Sequence, residues 1–232
     1  MYDFSITTEM EDNDIKSILW NAKKNYTKEI FPIGLAQDTY STIYKAGYIL
    51  NNVIINLNSK TEKPYNYLAT AIAYGRKGAY FRQAAIKYYE KYFKQYTPMP
   101  PNIFIFNEHF LIIRLAELYE KEYEFENAYN CIKQYLDKGN EITFVEIIFL
   151  GKLLEKIDIN RCVEFYKRIS TSHVYTDETK LSISNALNIA LEKQSKGYVY
   201  RPRRQHIKPF SEESELLLNK QAIKYINYLN QF

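Results

Sequence analysis

The chain has 232 residues, 46% of them hydrophobic and 25% charged, with a net charge of +4. That balance excludes a disordered polymer and supplies enough apolar side chains for a sizeable core. Two cysteines, Cys131 and Cys162, are too few for a disulfide framework. The most apolar stretches, Val53-Ile54-Ile55 and 144–150, fall far short of the roughly 18 residues that suggest a membrane span.

Seven glycines and seven prolines, set against 23 tyrosines and 13 phenylalanines, favour helices that pack on one another and are joined by short turns. Apolar periodicity and breakers predict about ten helices, near 11–27, 37–58, 64–77, 80–95, 106–121, 124–138, 142–156, 159–170, 177–196 and 211–230. The acidic start, with Glu9, Glu11, Asp12 and Asp14, lacks the basic flank and apolar stretch of a secretory signal, so a cytoplasmic protein with reduced cysteines is expected. Asp38 and Thr61 read as helix caps, Asp177 and Ser211 as the starts of the last two helices, and Gly139-Asn140 and Gly197 as stops. Pro98, Pro100 and Pro101 imply an extended connector over 97–101.

Ala85, Ala128 and Cys162 each precede a large side chain by four positions, and the last two lie 34 residues apart. That is the length of a two-helix unit that buries its apolar face only by stacking on neighbours. The clearest copy reads Leu115-Ala116, Tyr119, Phe125, Ala128, Ile132 and Tyr135. Upstream, Leu68, Ala71, Ile72 and Gly75 precede the run 85–91; downstream come Phe149-Leu150, Leu153, Ile159, Cys162, Tyr166 and Ile169. Over about 64–170 this pattern resembles tetratricopeptide repeats.

The resemblance implies an all-α fold, a right-handed superhelix of about ten helices. Residues 1–60 would extend or cap the array, 61–172 would carry the repeats, and 173–232 would hold the C-terminal helices. It further implies that the inner faces of the first helices bind a protein or peptide, with Arg114, Glu117 and Lys121 pointing into that groove. The bulk that Ala128 admits is small, because two helix backbones must approach closely there.

No glycine-rich phosphate loop, nucleophile elbow or metal-ligand pair is present, and His109, His173 and His206 lie far apart in sequence. Neither catalysis nor a cofactor or metal is therefore expected, and the leading reading is a non-enzymatic scaffold or adaptor. Gly75-Arg76-Lys77-Gly78 either ends a helix or offers two cations to a partner, so Arg76 and Lys77 join the partner-binding candidates. The alternative reading is a regulator or mobile-element protein that contacts nucleic acid through 193–210. Lys193, Lys196, Arg201, Arg203, Arg204 and Lys208 carry +6 there with no acid, which leaves −2 for the rest of the chain. Tyr198, Tyr200, His206 and Phe210 interleave with those cations, a pattern able to stack bases while neutralising phosphates. Arg201, Arg203, Arg204 and Lys208 are its anion-binding candidates.

Overall fold

A computed structural model describes residues 8–39, 44–58, 61–95, 107–171, 175–202 and 211–232. Among these residues the chain is all-helical, with eleven α-helices, a 3-10 turn at Ala79–Phe81 and no strand. The helices are α1 (Thr8–Asn25), α2 (Phe31–Asp38), α3 (Tyr44–Asn58), α4 (Pro64–Arg76), α5 (Arg82–Lys94), α6 (Glu108–Lys121), α7 (Phe125–Asp137), α8 (Phe144–Ile157), α9 (Ile159–Ser170), α10 (Asp177–Ser195) and α11 (Glu212–Leu229). None is long and apolar enough to cross a membrane.

The expected segment 37–58 holds α3 and only the last two residues of α2, a helix that begins upstream of it. Pro32 starts α2, where a missing N–H costs nothing and a fixed φ is an advantage. Asp38 closes that helix and caps no start, and Thr61 lies outside α4, its hydroxyl 2.7 Å from the Asn66 amide nitrogen that donates to it. Ser211 does cap α11, accepting from the Ser214 N–H at 3.2 Å. α10 starts at Asp177 as expected, with Thr176 before it as the cap. Gly139 and Gly197 follow α7 and α10 with φ of 81° and 66°, a left-handed geometry in which glycine has no Cβ penalty.

The chain forms two compact units, Met1–Ile105 with His206–Phe232, and Phe106–Gln205. These units group α4 and α5 with the first and last helices, whereas the three-part reading of the sequence joins them to the repeats. In the first unit α3 is central, packing on α2, α4 and α11. Leu50, Val53 and Ile54 of α3 share its core with Ile15 and Leu19 of α1, Leu68 and Ala71 of α4, and Leu218 and Ala222 of α11. Polar contacts fasten α11 further: Lys23 Nζ donates to the Leu229 carbonyl at 2.7 Å, and Tyr225 Oη donates to Asp12 Oδ1 at 2.6 Å. Burial alone would raise the Asp12 carboxyl, but hydrogen bonds from Lys16, Lys224 and Tyr225 outweigh it and hold the group well below the usual carboxylate range. In α5, Tyr89 and Tyr92 are buried while Tyr88 stacks on Tyr74 at 5.8 Å, so these tyrosines serve packing.

In the second unit each helix from α6 to α10 packs on the next, and α8 also packs on α10. Starts of α7 and α9 lie 34 residues apart, and Ala128 and Cys162, near those starts, are both buried. Polar pairs recur at a similar interval: Glu120 with Lys156 at 2.6 Å, Glu126 with Arg161 at 2.6 Å, Glu155 with Lys193 at 2.7 Å, and Asn160 with Gln194 at 2.7 Å. Their separations of 36, 35, 38 and 34 residues tie each helix pair to the following one. Side-chain caps start these helices, Asn107 accepting from the Phe110 N–H at 2.7 Å and Asp158 from the Asn160 N–H at 2.8 Å.

Neither cysteine is in a disulfide, but their surroundings differ. Cys162 is buried with its thiol directed at the Gly151 carbonyl, 3.3 Å away, and burial with the Glu155 charge pushes its pKa up to about 12, Lys193 opposing. A thiolate is the reactive form, so Cys162 is inert in the folded protein. An aromatic disulfide reagent at neutral pH is accordingly expected to modify the half-exposed Cys131 and to reach Cys162 only after denaturant is added. Rapid modification of both under native conditions would contradict this packing.

Candidate functional site

Arg114, Glu117 and Lys121 lie on one face of α6, opposite the buried Ile112, Ala116 and Tyr119. The four- and three-residue steps of an α-helix align them. Arg114 donates to Glu117 at 2.7 Å, both side chains more than a third exposed, so part of the charge on this face is already paired within the helix. Lys121 is exposed at the end of the same stripe.

Burial adds a residue that sequence reasoning missed: Phe110 heads the stripe and is 46% exposed. Val145 of α8 is 72% exposed and Leu181 of α10 64% exposed, again on sides away from each helix's buried residues. These three side chains are 35 and 36 residues apart, near the repeat interval. His109 Nε2 lies 2.7 Å from Glu146 Oε1, which brings the first turns of α6 and α8, and with them the neighbouring Phe110 and Val145, to the same end of the array. Only solvent exposure combined with the repeat register could have singled them out, since each is an ordinary apolar residue in the sequence.

Arg76 and Lys77 belong to the first unit. Their tetrapeptide ends α4, with Lys77 as the C-cap and Gly78 at φ 100°. Arg76 reaches Thr39 Oγ1. Lys77 is one of the largest fully buried side chains: its ammonium lies 2.5 Å from Glu215 Oε1 and 3.9 Å from the centre of the Phe81 ring, and Tyr48 Oη donates to its carbonyl. Its charge is committed inside the fold.

Two cations of the basic segment have acidic partners, that of Lys196 on the exposed surface. Lys193 pairs with Glu155 at 2.7 Å, and Lys196 with Glu192. Lys193 also lies 5.3 Å from the Tyr198 ring, while Tyr200 packs edge-on against Phe125 at 5.4 Å. Arg201 is exposed; Arg203, Arg204 and Lys208, with His206 and Phe210, lie outside the described residues, as does His173. Among the described residues no group of three His, Cys, Asp or Glu side chains could hold a metal ion.

No family model matches the chain, and neither a curated protein nor a solved structure is found to match it.

Proposed function

We propose that the protein is a non-enzymatic helical-repeat scaffold whose second unit, built of stacked pairs resembling tetratricopeptide repeats, binds a partner protein or peptide across its first helices. The observation that carries this reading is the recurrence of Phe110, Val145 and Leu181. Single exposed apolar residues are ordinary on any surface. A large one at the outward position of three successive first helices is a row of anchors, and anchors of this kind supply most of the affinity of an interface. Arg114, Glu117 and Lys121 border the first anchor and would set orientation and partner choice by charge. The superhelical, right-handed form of the array is part of the same proposal, supported by the 34-residue interval and the cross-pair polar contacts.

The test is capture of partners by the full chain, comparing the wild type with Phe110→Ala/Val145→Ala/Leu181→Ala and with Arg114→Glu/Lys121→Glu. Loss of the three anchors is expected to lower recovery of a specific partner at least tenfold, about 1.4 kcal/mol. Charge reversal should change the rate of association and its salt dependence. If both variants stay folded, by circular dichroism and Cys162 protection, and still recover the same partners at wild-type levels, the first-helix face is not the binding surface.

A further inference from the structure

A second feature of the Phe106–Gln205 unit lies away from the anchor row. The turn between α8 and α9, Gln194 near the end of α10, and the segment 197–200 line a cleft of about 380 Å³. That size falls within the range of about 300–1,000 Å³ typical of ligand clefts. We infer that this cleft binds an extended peptide, recognised chiefly through its main chain.

Three observations support the assignment. First, the segment after α10 lies outside any helix or strand. Tyr198 and Tyr200 turn inward, against Lys193 and against Phe125 with Lys156, while Val199 between them is 73% exposed. That alternation is the period of an extended chain. Tyr198 N–H donates to the Lys193 carbonyl at 3.0 Å, but Val199, Tyr200 and Arg201 have no main-chain hydrogen bond among the described residues. An edge with unpaired N–H and C=O groups is what an added strand requires.

Second, the opposite wall carries a side-chain amide pair. Gln194 Nε2 donates to Asn160 Oδ1 at 2.7 Å, which leaves the Gln194 carbonyl and the Asn160 amino group to serve a ligand as one acceptor and one donor. A peptide group presents the matching donor and acceptor.

Third, the charges around the cleft are already balanced. Lys156 is paired with Glu120 at 2.6 Å, Glu155 with Lys193 at 2.7 Å, and the Asp158 carboxylate occupies the N-terminus of α9 as its cap. The helix N-terminus, which would otherwise attract an anion, is thereby shielded by a negative group. A phosphate or a free carboxylate would meet Asp158, whereas an uncharged main chain meets no opposing charge.

This inference is independent of the first-helix face, and the experiment separates the two. Random heptapeptides displayed on phage are selected against the full chain, and the selected sequences are synthesised with blocked termini and titrated by fluorescence polarisation. Binding is expected to fall at least tenfold on Asn160→Ala/Gln194→Ala. It should fall similarly for whichever of Val199→Pro and Tyr200→Pro removes the N–H that faces the cleft. The anchor variant Phe110→Ala/Val145→Ala/Leu181→Ala should leave it unchanged. Because a proline variant could disturb the unit, the same peptides carrying N-methyl groups at alternate backbone amides are titrated against the wild type, where one register should lose binding. Selection of no peptide, affinities unchanged in the amide variant and in both methylated registers, or loss on removing the anchors instead, would overturn the assignment.

Discussion

Glu215→Ala should destabilise the first unit by about 3–5 kcal/mol, the usual cost of removing one partner from a buried ion pair. Lys77 is the reason. Its side chain is 1% exposed while that of Glu215 is 30% exposed, so the burden of desolvation falls almost wholly on the lysine. Burial lowers the Lys77 pKa from its ordinary value, and the nearby Glu215 carboxylate only partly restores it. The net direction shows that desolvation outweighs the attraction. The pair is therefore a source of fixed geometry between the end of α4 and the start of α11 more than a source of stability. Lys77→Met/Glu215→Leu, which removes both charges and lays a thioether against Phe81, should be neutral or more stable than the wild type.

The pH dependence follows from the same shift. A lysine whose folded pKa lies below its unfolded value binds more protons when unfolded, so stability rises with pH through the window just below the ordinary value of 10.5. Loss of Glu215 depresses the folded pKa further. The deficit of Glu215→Ala should then be largest near neutrality and narrow as the pH approaches 10.5. The chain's single tryptophan, Trp20, lies in this unit, edge-on to Phe232 at 5.1 Å, so its fluorescence during urea unfolding reads this unit alone. A single mutant as stable as the wild type at pH 7, or a deficit that does not change with pH, would refute the account.

The contrast between Lys77 and Ala128 shows what the sequence can express. Ala128, Cys162 and Ala85 were legible as buried small residues because the information is local: a helical period, a repeat interval and a large neighbour four residues on. All-helical architecture follows from the same periodicity. Lys77 looked like a surface cation at a helix end, and its partner is 138 residues away in the sequence. No local pattern encodes that pairing. Helix α2 was missed for a related reason. Pro32 and Gly34 are poor helix formers in general, yet Pro32 sits where a helix accepts it, and a Cβ at Gly34 would stand 2.4 Å from the Tyr26 ring. The stripe of Arg114, Glu117 and Lys121 could be placed on one face from spacing alone. Phe110, Val145 and Leu181 could not, since their significance depends on which side of each helix the neighbours leave open. The cleft was equally hidden, as its walls come from a turn, a helix end and the segment after α10, which only tertiary packing brings together.

Gly151 provides the sharpest test of packing in the second unit. It sits in α8 facing α9, where a Cβ would lie 1.9 Å from Tyr166 Oη and 2.1 Å from Cζ. Both distances are far inside van der Waals contact. Tyr166 is itself buried, and burial drives its phenol pKa upward, so the ring cannot escape to solvent without opening the helix pair. On helix propensity alone Gly→Ala would favour the folded state by about 1 kcal/mol. Overpacking opposes it, and Gly151→Ala is expected to cost about 3 kcal/mol, the upper part of the range for added bulk in a filled core. The sign should reverse once the ring is gone: Tyr166→Leu loses stability by itself, but adding Gly151→Ala to it should restore part of the loss, because the new methyl enters the vacated space. Cys162 supplies the readout, since its thiol points at the Gly151 carbonyl and reacts only when α8 and α9 separate. Gly151→Ala should speed its modification and lower the urea midpoint by circular dichroism, and the double variant should slow modification relative to Tyr166→Leu. If alanine at 151 has the same effect with and without the ring, the close approach of α8 to Tyr166 is not what requires glycine there.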